Sequence, residues 1–158
     1  MPAPIRQSTL PDFSALHARI KPGDFVDCYR VSSPLPPRVA ADIVTAFPWW
    51  ARGLLHLRRW LTTPFGIDND GPQVPDRVGI FPVEHNTPTE LIAGFDDIHL
   101  DFRVSVMSDN GHVLLATWVH PHHIGGWIYL WAIMPFHILI VRNALARIRA
   151  HPMAGQTV

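Results

Sequence analysis

Read with side chains pointing alternately to two faces, "DFVDCYRV" at 24–31 sets apolar Val26 and Cys28 on one side and Phe25, Asp27, Tyr29 and Val31 on the other. Period two is the signature of a strand. After a long interval four more strand-like runs follow, at 78–85, 90–96, 98–107 and 112–120. "SDNG" at 108–111 joins the last two, and Asn110-Gly111 suits the positive φ angles of a tight hairpin turn. In the interval the period lengthens. "RVAADIVTAF" (38–47) reads as a helix, Pro48 interrupts it, and a proline in a first turn opens a second helix over 48–61. Trp50, Leu54, Leu57 and Leu61 recur along that helix as one stripe and are expected to be buried. "GIDNDGPQVPD" (66–76) is turn chemistry, and the Pro-punctuated residues 1–23 predict surface coil.

Residues 124–141, "IGGWIYLWAIMPFHILIV", carry no charge. Two readings compete. A membrane span needs about 20 apolar residues, and this run contains Gly125-Gly126, Pro135 and His137. The favoured alternative divides it at Met134-Pro135. "GGWIYLWAI", rich in aromatic and β-branched residues, predicts a strand. "PFHILIVRNALARIRA" predicts a terminal helix with Ile138, Val141, Leu145 and Ile148 on one face. The expected fold class is α+β: a curved antiparallel sheet of about six strands wrapped on a long C-terminal helix, with two short helices after the first strand. Short connections make the strands antiparallel. A helix in the concave side buries both apolar faces and is expected to leave a cavity. The division is 1–23 N-terminal coil, 24–151 single domain, 152–158 tail.

Composition narrows the function. Apolar residues are 47% and charged residues 16% of 158, so disorder is excluded. Thirteen bases balance 13 acids, which argues against bulk nucleic-acid binding. Cys28 is alone, so no intrachain disulfide forms, and a cytoplasmic location is expected. The N-terminus lacks an apolar run of signal-peptide length. A membrane partner is not expected, and a homodimer is allowed.

Strand alternation places His99, Asp101, Arg103 and Ser105 on one face. Facing the concave side, His99 and Asp101 would be an acid/base pair with Arg103 beside them; facing the convex side, the row is an ordinary solvated surface. The alternation alone leaves this open. "HPHH" (120–123), with His99 or His112, invites a metal, but loop histidines are commonly just solvated, and no metal is expected. His137, in the first turn of the terminal helix, is either a donor into the pocket or a packing residue. Trp127, Tyr129 and Trp131 would line one strand face next to Trp118, with Trp50 and Arg58 on the second helix. Aromatic walls suit a flat or apolar ligand; ordinary core is the plainer alternative. "RGLLHLRRW" (52–60) also has the composition to touch anionic headgroups.

"GFDDIHLDFRVSVM", a short turn, then "GGWIYLWAIMPFHILIVRNALARI" resembles the domain-of-unknown-function family 2867 over roughly 24–150. The family pattern is a Gly-x-x-Tyr(-Trp) segment followed by Pro-Phe-His, here Gly126, Tyr129, Pro135, Phe136 and His137; Leu130 departs from the Tyr-Trp form. The resemblance implies a START-like, birch-pollen-allergen-like helix-grip fold and an apolar pocket. Some relatives carry this unit behind a short-chain-dehydrogenase-like domain, but no Gly-x-Gly-x-x-Gly occurs here, so no cofactor is expected. Three functions remain: an apolar or aromatic ligand held between sheet and helix, a cyclase- or hydratase-like enzyme using His99 and Asp101, and an interaction domain with a filled core.

Overall fold

The strand read at 24–31 becomes an inner strand of a sheet. The computed structural model describes residues 4–62, 64 and 74–151, apart from the side chains of 58, 59, 61 and 62. The expected turn at 66–76 and the tail from 152 therefore fall largely outside the described residues. Among those described, the strands are β1 (Arg6–Gln7), β2 (Phe25–Ser32), β3 (Arg77–Val78), β4 (Phe81–Asn86), β5 (Glu90–Asp96), β6 (Leu100–Asp109) and β7 (His112–Pro121). They form one antiparallel sheet in the order β1-β2-β7-β6-β5-β4-β3. Asn110 and Gly111 turn the β6–β7 hairpin at φ 46° and 75°, as the sequence predicts.

Helices α1 (Pro37–Thr45) and α2 (Trp49–Thr62) follow β2, and α3 (Ile124–Ala150) ends the described chain. Leu57, expected in the buried stripe of α2, is 50% exposed. The stripe runs instead through fully buried Ala51, with Trp50, Leu54 and Leu55 half-buried.

The largest correction concerns 124–141. No strand ends at Met134: α3 is one helix of 27 residues with Pro135 inside it. Proline withdraws one N–H from the helical ladder and crowds the carbonyl four residues back. The sheet overrides that cost, because residues on both sides of Pro135 face it. Gly126 and Leu130 are buried before the proline, and Val141, Ala144, Leu145 and Ile148 after it, with Met134 and His137 half-buried between. Those positions recur every three or four residues without a break, so one face runs the length of the helix. Gly126 is required at the start: a Cβ there would meet the His99 carbonyl and Pro121, so the helix can approach the loop only without one.

The side facing α1 and α3 is apolar. Val31, Val113, Leu115, Val106 and Leu91 pack there with Ala40, Ala41 and Val44 of α1 and with Val141, Ala144, Leu145 and Ile148 of α3. Leu145 and Ala144 are 0% exposed, so the space beneath the C-terminal half of α3 is filled with side chains. Arg147 locks the two helices: its Nη1 donates to the Ile43 and Ala46 carbonyls at 2.6 Å each, capping the end of α1.

The back of the sheet is covered by the N-terminal segment, which is no free coil. Leu16, in a 3-10 turn at Ala15–Ala18, packs on Cys28, Ile92, Met107, Leu114, Ala116 and Trp118. Glu90 fastens it: Oε1 accepts from Ser14 Oγ and Ser105 Oγ at 2.6 Å each, and Oε2 from the Ala15 N–H at 2.8 Å. Burial, helped by the charge of Asp27, pushes the Cys28 thiol up to about 12, so the lone cysteine is an inert core residue.

Candidate functional site

Direct cross-strand neighbours share a face of an antiparallel sheet. One row on the helix-facing side reads Phe25, Val119, Phe102, Phe95; the next reads Asp27, Thr117, Val104, Ala93. Asp27 is thus an acidic residue on the helix-facing side of the sheet, opposite Thr117, and its side chain is only 9% exposed. It meets His137 of α3, whose Nε2 lies 2.8 Å from Asp27 Oδ2. An ionised carboxyl only accepts, so Nε2 carries the proton of this bond. The second oxygen, Oδ1, is buried and has no hydrogen-bond partner. Leaving such an acceptor bare costs about 1–3 kcal/mol, so a donor brought to Oδ1 would be stabilised there.

Around this pair the packing loosens. Leu100, Val119 and Leu130 are buried, while Phe25, Phe102, Trp127, Tyr129 and Met134 beside them are only partly so. Phe25 stands edge-on to the His137 ring at 6.2 Å. A shallow depression of about 330 Å³ against Trp127, Ile128 and Trp131 lies on the outward side of the same stretch of helix and is no part of this seam. The result is an apolar, aromatic-edged groove, a partly buried seam between the sheet and the first half of α3, with one polar pair within it.

The structure redistributes the residues expected to carry chemistry. His137 holds its place in the groove, but from mid-helix rather than a first turn. Trp127 and Tyr129 edge the groove from the helix, whereas Trp131 points outward and is 74% exposed. Trp118 lies on the opposite face, its indole N–H donating to Asp24 at 2.8 Å. Trp50 is half-buried on α2, and the side chain of Arg58 lies outside the described residues.

The polar row of β6 faces away from α3. Arg103 is 4% exposed and lies across Gly94, where φ is +146° and any Cβ would collide with the arginine and the Phe102 carbonyl. It reaches Glu84 and Asp96 at 2.8 Å each, and Glu84 also pairs with Arg19 at 2.6 Å. Buried on the back face, Arg103 is a structural tie. His99 and Asp101 each reach a loop histidine: Asp101 Oδ1 lies 2.9 Å from His122 Nε2, and His99 Nδ1 lies 2.7 Å from His123 Nε2. His99 precedes β6 and so escapes the alternation that put it beside Asp101.

His120, His122 and His123 are held around the turn before α3. The Asp101 carboxyl and the Ile98 carbonyl hold the His122 pKa above its ordinary value. Burial pushes the Asp24 carboxyl up, but bonds from His120, the Lys21 N–H and Trp118 outweigh it, and the net pKa is lowered. His123 caps α3, accepting from the Gly125 N–H at 3.1 Å. Among the described residues no three His, Cys, Asp or Glu side chains are arranged to hold a metal.

Asp27 is the residue that sequence reasoning passed over. Its signal was present: alternation set it with Phe25, Tyr29 and Val31 on the side that became core. An acid in such a register is expensive to bury unless it is partnered.

No curated protein and no solved structure matches the chain. The family model described as "Protein of unknown function (DUF2867)" matches residues 19–144, a stretch that holds β2, the whole β4–β7 meander and the half of α3 bearing His137. A match of that extent, covering both halves of the groove, places the chain in the DUF2867 family.

Proposed function

We propose that the protein binds an apolar small molecule bearing a hydrogen-bond donor, seated between the sheet and the first half of α3, with Asp27 and His137 as polar anchors. The single observation that carries this reading is the buried Asp27 Oδ1, unpartnered in a register whose other members are Thr117, Val104 and Ala93. Phe25, Phe102, Trp127, Tyr129 and Met134 supply the apolar contact. On this reading the domain is a START-like, birch-pollen-allergen-like helix-grip module, working in the cytoplasm with its single thiol reduced. Its ligand groove lies nearer residues 127–137 than the filled space under 138–150.

The test compares 1-naphthol with naphthalene by isothermal titration. A donor reaching a charged acceptor is worth about 1.5–3 kcal/mol, so the phenol should bind about 10–100-fold more tightly. Asp27→Leu should erase that preference while leaving weak binding of both. Equal affinities for the two compounds, or no saturable binding of either, would count against the proposal.

The Asp27–His137 bond also favours a second reading, a cyclase- or hydratase-like enzyme in the same groove. Here His137 moves the proton and Asp27 orients it, in place of the His99–Asp101 pair. His137→Gln separates the two: it should abolish turnover and keep naphthol binding.

A further inference from the structure

The outward side of α3 is unlike an ordinary surface. Ile124 is 79% exposed, Ile128 66%, Trp131 74%, Phe136 48% and Leu139 54%. At about 1.5 Å per residue this apolar stripe runs about 22 Å along the helix. Of the most apolar 18-residue window of α3, only 17% is buried, whereas the core helix of a soluble domain is mostly covered. Monomeric soluble proteins rarely leave so continuous an apolar surface in water.

Charge identifies what covers it. The 27 residues of α3 contain no acid, and its basic residues, Arg142, Arg147 and Arg149, follow the apolar stripe. Helix α2 repeats the chemistry: Trp49 is 80% and Trp60 74% exposed, with Arg52, Arg58 and Arg59 and again no acid. All 13 acids and only seven of the 13 bases lie outside these two helices. The neutral total therefore hides two acid-free, arginine-bearing helices with exposed tryptophans, although Arg147 itself is turned inward onto α1. Exposed Trp, Ile and Phe flanked by arginine match the headgroup boundary of an anionic bilayer. A second copy presenting the same face would set arginine against arginine with no acid to answer it. Crossing the bilayer is disfavoured by the buried side of the helix: Val141, Ala144, Leu145 and Ile148 would have to leave the core.

We infer that the protein seats itself on an anionic lipid surface, with the Ile124–Leu139 stripe of α3 at the acyl boundary and the sheet held above it. This stands apart from the ligand reading, since the stripe faces away from Asp27 and His137.

Flotation of the full chain with phosphatidylcholine vesicles, with and without phosphatidylglycerol, tests it. The chain should float with the anionic vesicles, less so as salt rises, and should be released by alkaline carbonate. Ile128→Ser combined with Trp131→Ser should weaken binding about 100-fold with the midpoint of thermal unfolding unchanged. Arg142→Gln, which leaves the stripe intact, should weaken it on anionic vesicles only. Failure to float, equal flotation with neutral vesicles, resistance to carbonate, or a dimer that the double substitution dissolves would each overturn the inference.

Discussion

Asp27→Asn isolates the bare oxygen in the groove. The asparagine keeps the shape of the side chain and an oxygen toward His137 Nε2, now 2.8 Å from Asp27 Oδ2. It replaces the unpartnered, buried Oδ1 with a neutral amide group. Two effects oppose. Trading a buried, unsatisfied charged acceptor for an unpaired neutral amide N–H group, which costs less to bury, is worth about 2 kcal/mol. Exchanging a charge-assisted bond to His137 for a neutral one costs about 1 kcal/mol. The difference is a gain of about 1 kcal/mol. With a urea slope of about 2 kcal/mol/M, the unfolding midpoint should rise by about 0.5 M. The same substitution should abolish the preference for naphthol over naphthalene, the exchange of function for stability expected where a buried group is kept for binding. A fall of the midpoint by 0.5 M or so, on the same slope, would refute the reasoning. It would mean that Oδ1 is satisfied in solution and that Asp27 is a structural residue.

Further expectations follow from the packing and from the titrating groups. Leu145→Ala, at a position 0% exposed, should cost about 3–4 kcal/mol in urea unfolding, while Trp131→Ala, 74% exposed on the same helix, should stay within about 0.5 kcal/mol. Arg147→Met should cost about 2 kcal/mol, because two carbonyls at the end of α1 lose a charged donor at 2.6 Å; a neutral result would show that water caps α1 equally well. The raised His122 pKa contributes stability that is complete below the unfolded value of 6.5 and is lost as pH rises through the folded value. The pair is partly exposed and worth at most about 1 kcal/mol. Thermal unfolding should therefore drop by no more than about 4 °C between slightly acid and slightly alkaline pH, and Asp101→Asn should remove that part of the slope. The lowered Asp24 pKa acts the other way: its contribution is present above 3.8 and fades as pH falls through the folded value, so Asp24→Asn should flatten the acid limb of the same melting curve.

Much of the sheet was legible because its strands obey short-range rules. Alternation marks β2, the apolar run with its Gly and Asp marks β5, and Asn110-Gly111 fixes the β6–β7 turn. What failed was inference from residue type where the period carried the answer. "GGWIYLWAI" has strand composition, yet Gly126, Leu130, Met134, His137 and Val141 keep helical spacing straight through Pro135. A long helix with one side on a sheet tolerates a proline that an isolated helix would not, and only tertiary contact reveals that. The site was half readable. His137 could be singled out by type, but its partner lies 110 residues away in sequence, on a strand whose pairing brings it opposite the helix. Conversely, His99 and Asp101 are near neighbours in the chain, yet the contacts they show run to His123 and His122 of the loop before α3, because the strand begins between them at Leu100.

Glu90 gives the first twenty residues a significance that their composition conceals. Three of its hydrogen bonds come from Ser14, Ala15 and Ser105, so two of the three donors belong to the N-terminal strap. Cutting the chain just ahead of β2 would strip those two away, leave a carboxyl in the middle of the sheet with Ser105 as its remaining side-chain donor, and unroof Trp118 and Met107. The smallest piece that keeps its shape therefore starts well upstream of the first long strand, and a tag or fusion joined at Asp24 would yield a sticky, half-open sheet in place of this domain.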